Sequence, residues 1–410
     1  MISKYYPRIL AAAAVMIFFT NLCLYLYSTE LVSFPPLYWI TALGVVAAPI
    51  CLSRRSIAII RRSLVARWGY GFVMISGVWL LFQPSQSEIV WQEFHTRILS
   101  VLFVIVLLCL FSREDTQLWA RYATLVAVLM GVGINLFEVF NPLKFSEVMG
   151  RSAGLYINPN QSAVALILGM IITVGLLPHR YRMLFLVVVG LGVFLTFSRA
   201  AIIGWLITFF VIVKTGQISL RRSLSVGCAV LAITFAVAVW KWDTVQYQLE
   251  DLGVLNKNVL SRIDWFNDMK SSDLSTVERK EVAELGWTMF SDSPVLGNGV
   301  GASIDWSFER SSHNEYLNLM VDHGILGLFI LPLLVLATAW RARGKVRQIA
   351  VTFAVFILFW GFFSHNVLSE RHILMMFSLL ATMVSSSQLA HPADEKTQHE
   401  NPAYYHCFAR

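Results

Sequence analysis

Charge is what this chain has least of. Only 14% of its 410 residues are Asp, Glu, Lys or Arg, against about 25% in an ordinary soluble domain. That excludes a soluble globular protein as the account of the whole chain. Cysteines are few and unpaired by spacing: Cys23, Cys51, Cys109, Cys228 and Cys407 form no CxxC, so neither a disulfide framework nor a zinc site is indicated. Several catalytic signatures are also missing. There is no Gly-rich phosphate loop, no HExxH, no Asp-x-Asp pair on the expected outer face and no Ser/His/Asp set. The first apolar run lacks a convincing small-residue cleavage site, so it reads as a retained span rather than a signal peptide. Neither a low-complexity tract nor an internal repeat is visible.

Apolar sequence is there instead. Hydrophobic residues make up 57% of the chain and the mean hydropathy is +0.63. Twelve runs of spanning character lie at roughly 8–27, 32–52, 66–83, 97–112, 117–138, 160–177, 183–197, 200–214, 223–241, 314–339, 348–365 and 372–388. The bilayer core offers the backbone no water, so such runs must be helices, and they are far too long for barrel strands. The expected fold class is an all-α polytopic membrane protein of about twelve transmembrane helices.

The net charge of +7 is orientation signal rather than a nucleic-acid footprint. Every second connection is basic: Arg54, Arg55, Arg61 and Arg62; Arg113 and Arg121; Arg180 and Arg182; Lys214, Arg221 and Arg222; Arg341, Arg343, Lys345 and Arg347. With Lys4 and Arg8 they define a cytoplasmic face holding both termini. The pattern needs Ser198-Arg199 on the opposite face, so the seventh and eighth runs count as two spans. Expected boundaries are spans one to nine over 1–241, an outer loop or lid of short helices over 242–312, spans ten to twelve over 313–388, and a tail over 389–410. Within the loop, helical stretches are expected at Gln246–Leu252, Leu260–Met269 and Val277–Phe290.

Cations that break the orientation rule are the informative ones. Arg97, Arg151, Arg199 and Arg371 fall on the expected outer connections, with Arg262, Arg279 and Arg310 in the long loop. Arg199 sits between two apolar runs, where a charge is costly unless it faces a polar cavity or a partner. The guanidinium fork suits phosphate. A head-group anchor is the plainer reading of the same position. His313 stands where the polar loop meets an apolar run. Ser312 and Glu315 have capping-box spacing, which predicts a helix beginning at His313. A helix start favours a neutral imidazole and accepts an anion, although a lone histidine there also reads as a surface cap. His323, His365 and His372 read as packing or head-group residues.

Taken together these segments resemble the O-antigen ligase/polymerase family of bacterial envelope glycosyltransferases. The similar pieces are Arg151-x-x-Gly154 with Asn158-Pro159-Asn160, then Phe197-Ser198-Arg199-Ala200, then Arg279 ahead of Trp287-x-x-Phe290. They continue with Pro294-x-x-Gly297-x-Gly299-x-Gly301, His313-Asn314-x-Tyr316-Leu317 and Gly324-Ile325-Leu326-Gly327. The likeness covers about residues 141–340. An aromatic residue often found four places after the family's loop arginine is Ala283 here, which leaves Arg262 and Arg279 as rivals for that role; the distance from Arg279 to Phe290 favours Arg279.

The resemblance implies a GT-C-like fold with one long periplasmic loop. It implies transfer of a glycan from undecaprenyl diphosphate at the periplasmic face of the inner membrane, with no cofactor and no metal. His313, Arg199 and Arg279 are the implied catalytic residues. Arg151, Asn158, Asn160, Arg262, Asn314 and Tyr316 are the implied substrate contacts. The implied partners are the lipid-linked donor, a lipid A–core acceptor and membrane lipids. One modest loop and the short chain point to a ligase. Polymerases and protein O-oligosaccharyltransferases of the same family are the near alternatives, and a lipid-linked glycan transporter is the alternative of another class.

Overall fold

The computed structural model describes residues 2–82, 87–218, 274–305 and 312–389. Among them there is no strand, and the chain is a bundle of helices. The first part contains α1 (Ile2–Ala14, continued by a π turn Val15–Phe19), α2 (Leu22–Ser28), α3 (Pro36–Cys51), α4 (Arg54–Arg62), α5 (Leu64–Phe82), α6 (Glu88–Leu110) and α7 (Glu114–Phe140). The middle contains α8 (Pro159–Thr173), α9 (His179–Phe194) and α10 (Arg199–Lys214). The rest contains α11 (Leu274–Asp292), α12 (Glu315–His323), α13 (Gly327–Ala339), α14 (Gly344–Trp360) and α15 (Arg371–Leu389).

Helices occupy eleven of the twelve expected apolar runs. The ninth run, 223–241, lies outside the described residues, as do the expected helices at 246–252 and 260–269 and the tail from 390. The third loop helix is present as α11. Among the described residues, five helices are long and apolar enough to cross a membrane, or up to seven if two bent pairs each count as one span. One of those pairs, α3 with α4, bends by 107° at Leu52-Ser53. The α4 sequence Arg-Arg-Ser-Ile-Ala-Ile-Ile-Arg-Arg puts charge at both ends of an apolar centre, as a helix lying in a membrane interface does.

Side-chain packing, not local propensity, sets this bundle. Phe18, Phe19, Phe103, Phe353, Phe356, Phe377 and Trp360 are fully buried at its centre. Around them α7 packs on α1 and α8, α6 on α15, and α10 on α14. Large apolar side chains such as Val45, Met74, Leu81 and Phe210 remain exposed on the outside, the surface expected of helices that face lipid.

One element differs from expectation in a way that matters for the site. The run beginning at residue 97 is the C-terminal part of α6, which starts at Glu88 under a Ser87 cap: Val90 N donates to Ser87 Oγ at 3.3 Å. Arg97 is therefore inside a helix and 6% exposed, not in an outer connection. Its charge is matched by Glu93, one turn earlier on the same helix, and by Asp322, far along the chain, which the local sequence does not display.

Candidate active site

Three segments that the sequence singles out share one backbone device. Each ends its loop on a non-glycine residue with positive φ just before a helix: Ile157 (φ 64°) before α8, Phe197 (φ 47°) before α10 and His313 (φ 51°) before α12. Left-handed backbone is uncommon for such residues, and strain of this kind collects where function holds the chain. Asn158 caps α8, accepting from Asn160 N at 2.9 Å, and Asn314 caps α12, accepting from Leu317 N at 3.2 Å. Ser198 precedes α10 without a side-chain cap.

The helix expected to begin at His313 begins at Glu315 instead. The φ of 51° at His313 rules out helical backbone there. Ser312 donates its hydroxyl to Asn318 Oδ1 rather than capping the helix. Glu315 reaches away from the cap, its Oε2 accepting from Val367 N at 3.0 Å, while Glu315 N donates to the Gly361 carbonyl at 2.8 Å. These two bonds fix the start of α12 to the 361–370 connection.

That connection brings in residues which sequence reasoning had set aside. The His365 ring lies T-shaped against His313, centroids 5.0 Å apart. The next residue, Asn366, accepts from Gln161 Nε2 at 3.1 Å, which places the first turn of α8 beside it. One residue earlier, Asn160 Oδ1 accepts from Arg151 at 3.1 Å, and Arg151 Nε donates to the Thr196 carbonyl at 2.9 Å, three residues before Arg199. The loop carrying Arg151 is folded by Glu138, a buried carboxylate near the end of α7. Its oxygens accept from Phe145 N at 3.2 Å, Ala153 N at 2.8 Å and Gly154 N at 3.0 Å, and also from Ser146 N. Neither Glu138 nor Gln161 carries a local motif.

Arg279 comes from the other side, on α11. The glycine-rich segment docks this helix on α12 through backbone contacts: Asn298 N donates to the Val321 carbonyl at 2.8 Å, Gly299 N to the Asp322 carbonyl at 3.1 Å, and Ile325 N to the Pro294 carbonyl at 2.8 Å. A Cβ on Gly297 would meet Gly324 N at 2.4 Å, and one on Gly324 would meet the Val295 carbonyl oxygen at 2.3 Å. Both have positive φ, 73° and 63°, so the spacing of these glycines is a packing requirement. Phe290, Leu317, Met320 and Val321 bury an apolar patch between the two helices, with Ala283 packed against it.

The far end of α12 is held by charge. Asp322 accepts from Arg97, from Gly301 N at 3.2 Å and from Ser303 N at 3.0 Å. Arg97 also donates to Glu93 Oε1 at 2.9 Å and lies 2.6 Å from His323 Nε2. His323, fully buried, is thus a structural member of this network. Tyr316 is turned into the bundle: its hydroxyl donates to the Leu358 carbonyl at 2.9 Å and its ring packs on Phe362, so its contacts are with protein rather than with a cavity.

The electrostatics favour a neutral His313. Burial, the nearby Arg279 guanidinium and His365 together push its pKa down to about 4. Burial does the same to His365, also to about 4. Of the expected site residues, Arg151, Asn158, Asn160, Arg279, His313 and Asn314 belong to this assembly, Arg199 begins the adjoining helix, and Arg262 lies outside the described residues. Among the described residues no three His, Cys, Asp or Glu side chains gather as metal ligands.

Residues 183–332 match the family model described as O-antigen ligase. No curated protein and no solved structure matches the chain.

Proposed function

We propose, from a chain whose residues 183–332 belong to the O-antigen ligase family, that the protein moves a glycan from undecaprenyl diphosphate to a lipid A–core acceptor at the periplasmic face of a bacterial inner membrane. The reading assigns His313 as general base. The acceptor hydroxyl attacks the anomeric carbon and a new C–O bond forms. The bond from that carbon to the diphosphate oxygen breaks and its electron pair leaves with the diphosphate. The hydroxyl proton passes to His313. Attack from the face opposite the leaving group inverts the anomeric centre.

Arg199 and Arg279, with Arg151 behind them, are assigned to the charge that develops on the diphosphate. The uncapped first turn of α10 offers N–H donors to the same group. A pKa of about 4 is low for a base, with burial its largest cause and the Arg279 guanidinium the next. A bound diphosphate offsets that guanidinium and moves His313 back toward ambient pH. Asn158 and Asn314 serve as helix caps that set the segments, and Tyr316 is assigned to packing.

One observation carries the reading: a half-buried histidine, its pKa held low, stands near Arg279 while its neighbouring connection is tied, through His365-Asn366 and Gln161, to the Arg151 segment. The test is transfer by purified protein in lipid nanodiscs, given lipid-linked glycan and lipid A–core. Ligated product should form, and should form equally in excess chelator. Lengthening of the donor glycan without acceptor would reassign the protein as a polymerase. Passage of donor across a sealed bilayer with no transfer would reassign it as a transporter.

A further inference from the structure

A cavity of about 230 Å³ opens beside His365, between α6, α12 and the 361–370 connection. Water takes about 30 Å³ per molecule in the liquid, and pockets for drug-sized ligands run to about 300–1,000 Å³. The space is thus suited to one sugar ring rather than to a lipid tail or an oligosaccharide.

Its lining decides among ligands. Glu93 and Asp322 contribute carboxylates and Glu315 a buried carboxyl group, and among the described residues Arg97 is the one guanidinium on the wall. Arg97 is already engaged by Glu93 and Asp322. A guanidinium already paired with two carboxylates has little to offer a diphosphate, which belongs on the arginine side of His313. Asn318 and Asn366 add amides, and Thr96, Ser303 and Ser369 add hydroxyls. Phe72 lies along the wall, with the Arg97 guanidinium 5.3 Å from its ring centroid. Carboxylate and amide acceptors for hydroxyl groups, beside an aromatic face for C–H groups, form a lining for an uncharged sugar. So polar a cavity between apolar helices is costly to keep unless it is used.

We propose that this cavity holds the terminal sugar of the acceptor, with the reacting hydroxyl directed past His365 toward His313. His313 then separates two chemistries: arginines for the leaving diphosphate on one side, and a carboxylate-rich sugar pocket on the other. The proposal rests on the ligase reading for the identity of the acceptor. His365 forms the wall between the pocket and the base and acts as a positioning residue.

The experiment fills the pocket from its exposed rim. Thr96 lines the cavity but is exposed on α6, so Thr96→Trp narrows the cavity without disturbing the core. Binding of purified lipid A–core to protein in nanodiscs is measured first, with no donor present. Thr96→Trp should weaken it by about tenfold or more, while Val45→Trp, an equally bulky change at an exposed position outside the cavity, binds within about twofold of wild type. In the transfer assay Thr96→Trp should raise KM for the acceptor and leave KM for the lipid-linked donor within about twofold. Unchanged acceptor binding in both Thr96→Trp and Ser369→Trp overturns the pocket assignment, and so does a rise confined to the donor KM. Failure of the ligase reading looks different: His313→Ala would retain full transfer, or wild type would transfer nothing while still binding acceptor at this pocket.

Discussion

His313 occupies backbone that few side chains adopt, with φ 51°, immediately before the Asn314 cap. This places the ring off the helix, against His365 and within the field of Arg279. As the base, it should be indispensable: His313→Ala is expected to reduce transfer by about a hundred- to ten-thousand-fold with the protein still inserted and folded. The pH dependence separates a base from a phosphate clamp. A base acts through its neutral ring, so transfer should be faster at about pH 7.5 than at about pH 5.5, on either side of an ordinary histidine pKa. The reverse order would make His313 an electrostatic group. Stability follows the same sign. The unfolded ring, near pH 6.5, binds protons that the folded His313 and His365 exclude down to about 4. Their contribution is therefore complete above about pH 6.5 and is lost as pH falls toward 4. Thermal unfolding of His313→Gln should show a shallower loss across that window than wild type. Arg199→Lys keeps the charge but loses the fork, and should cut transfer on the order of a hundredfold. Unchanged transfer in Arg199→Ala would make that residue a head-group anchor. Asp322→Ala acts elsewhere: it leaves Arg97 with Glu93 alone and takes the acceptor from two backbone donors, and should destabilise by about 1–3 kcal/mol for each buried donor left unpaired, seen as a lower Tm with the acceptor KM shifted as well.

At the scale of elements, the glycine-rich turn converts sequence spacing into the docking of α11 on α12. Gly297 and Gly324 meet backbone to backbone, so α11 can lie on α12 only if neither carries a Cβ. Gly297→Ala should separate the two helices, move Arg279 off His313 and lower transfer. Gly344→Ala is the control: it also has positive φ, 53°, but nothing lies within 4 Å of its added Cβ, so its effect is local strain of about 1 kcal/mol. Equal activity in the two variants would show that the docking does not set the site. The helices themselves were readable from the runs of apolar residues, because each run alone must satisfy its backbone in lipid. The Arg151, Arg199 and His313 segments were readable from their order along the chain. The start of α12 was not, since a left-handed residue defeated the capping-box spacing of Ser312 and Glu315. Arg97 was misplaced because its partners, Asp322 and His323, are 225 and 226 residues away. His365 and Gln161 were missed for the same reason: each acts through a contact between distant helices, and no local period marks it.

For the whole molecule, the site requires α8, α10 and α12 to start at the same face. Gln161–Asn366, Arg151–Thr196 and Glu315–Gly361 tie those starts together. The tight turn at 195–198 sends α10 back along α9, against which it packs. That return agrees with the expected alternation of basic connections, in which Lys214 and the basic residues of 341–347 share one face, the one the positive-inside rule assigns to the cytoplasm. The twelve-span arrangement predicts a labelling pattern. In a background with the five native cysteines replaced, Lys144→Cys lies on the loop that carries Arg151 and is exposed, so it should react with an impermeant thiol reagent added to intact inner-membrane spheroplasts. Gly216→Cys and Gly344→Cys, both exposed at the other ends of α10 and α14, should stay protected until the membrane is opened. Reaction at Gly344 in sealed spheroplasts would put the basic connection outside and the His313 site on the cytoplasmic face. The lipid-linked donor would then have to be consumed on the inner leaflet, and transfer onto a finished outer-leaflet acceptor would no longer be a coherent reading.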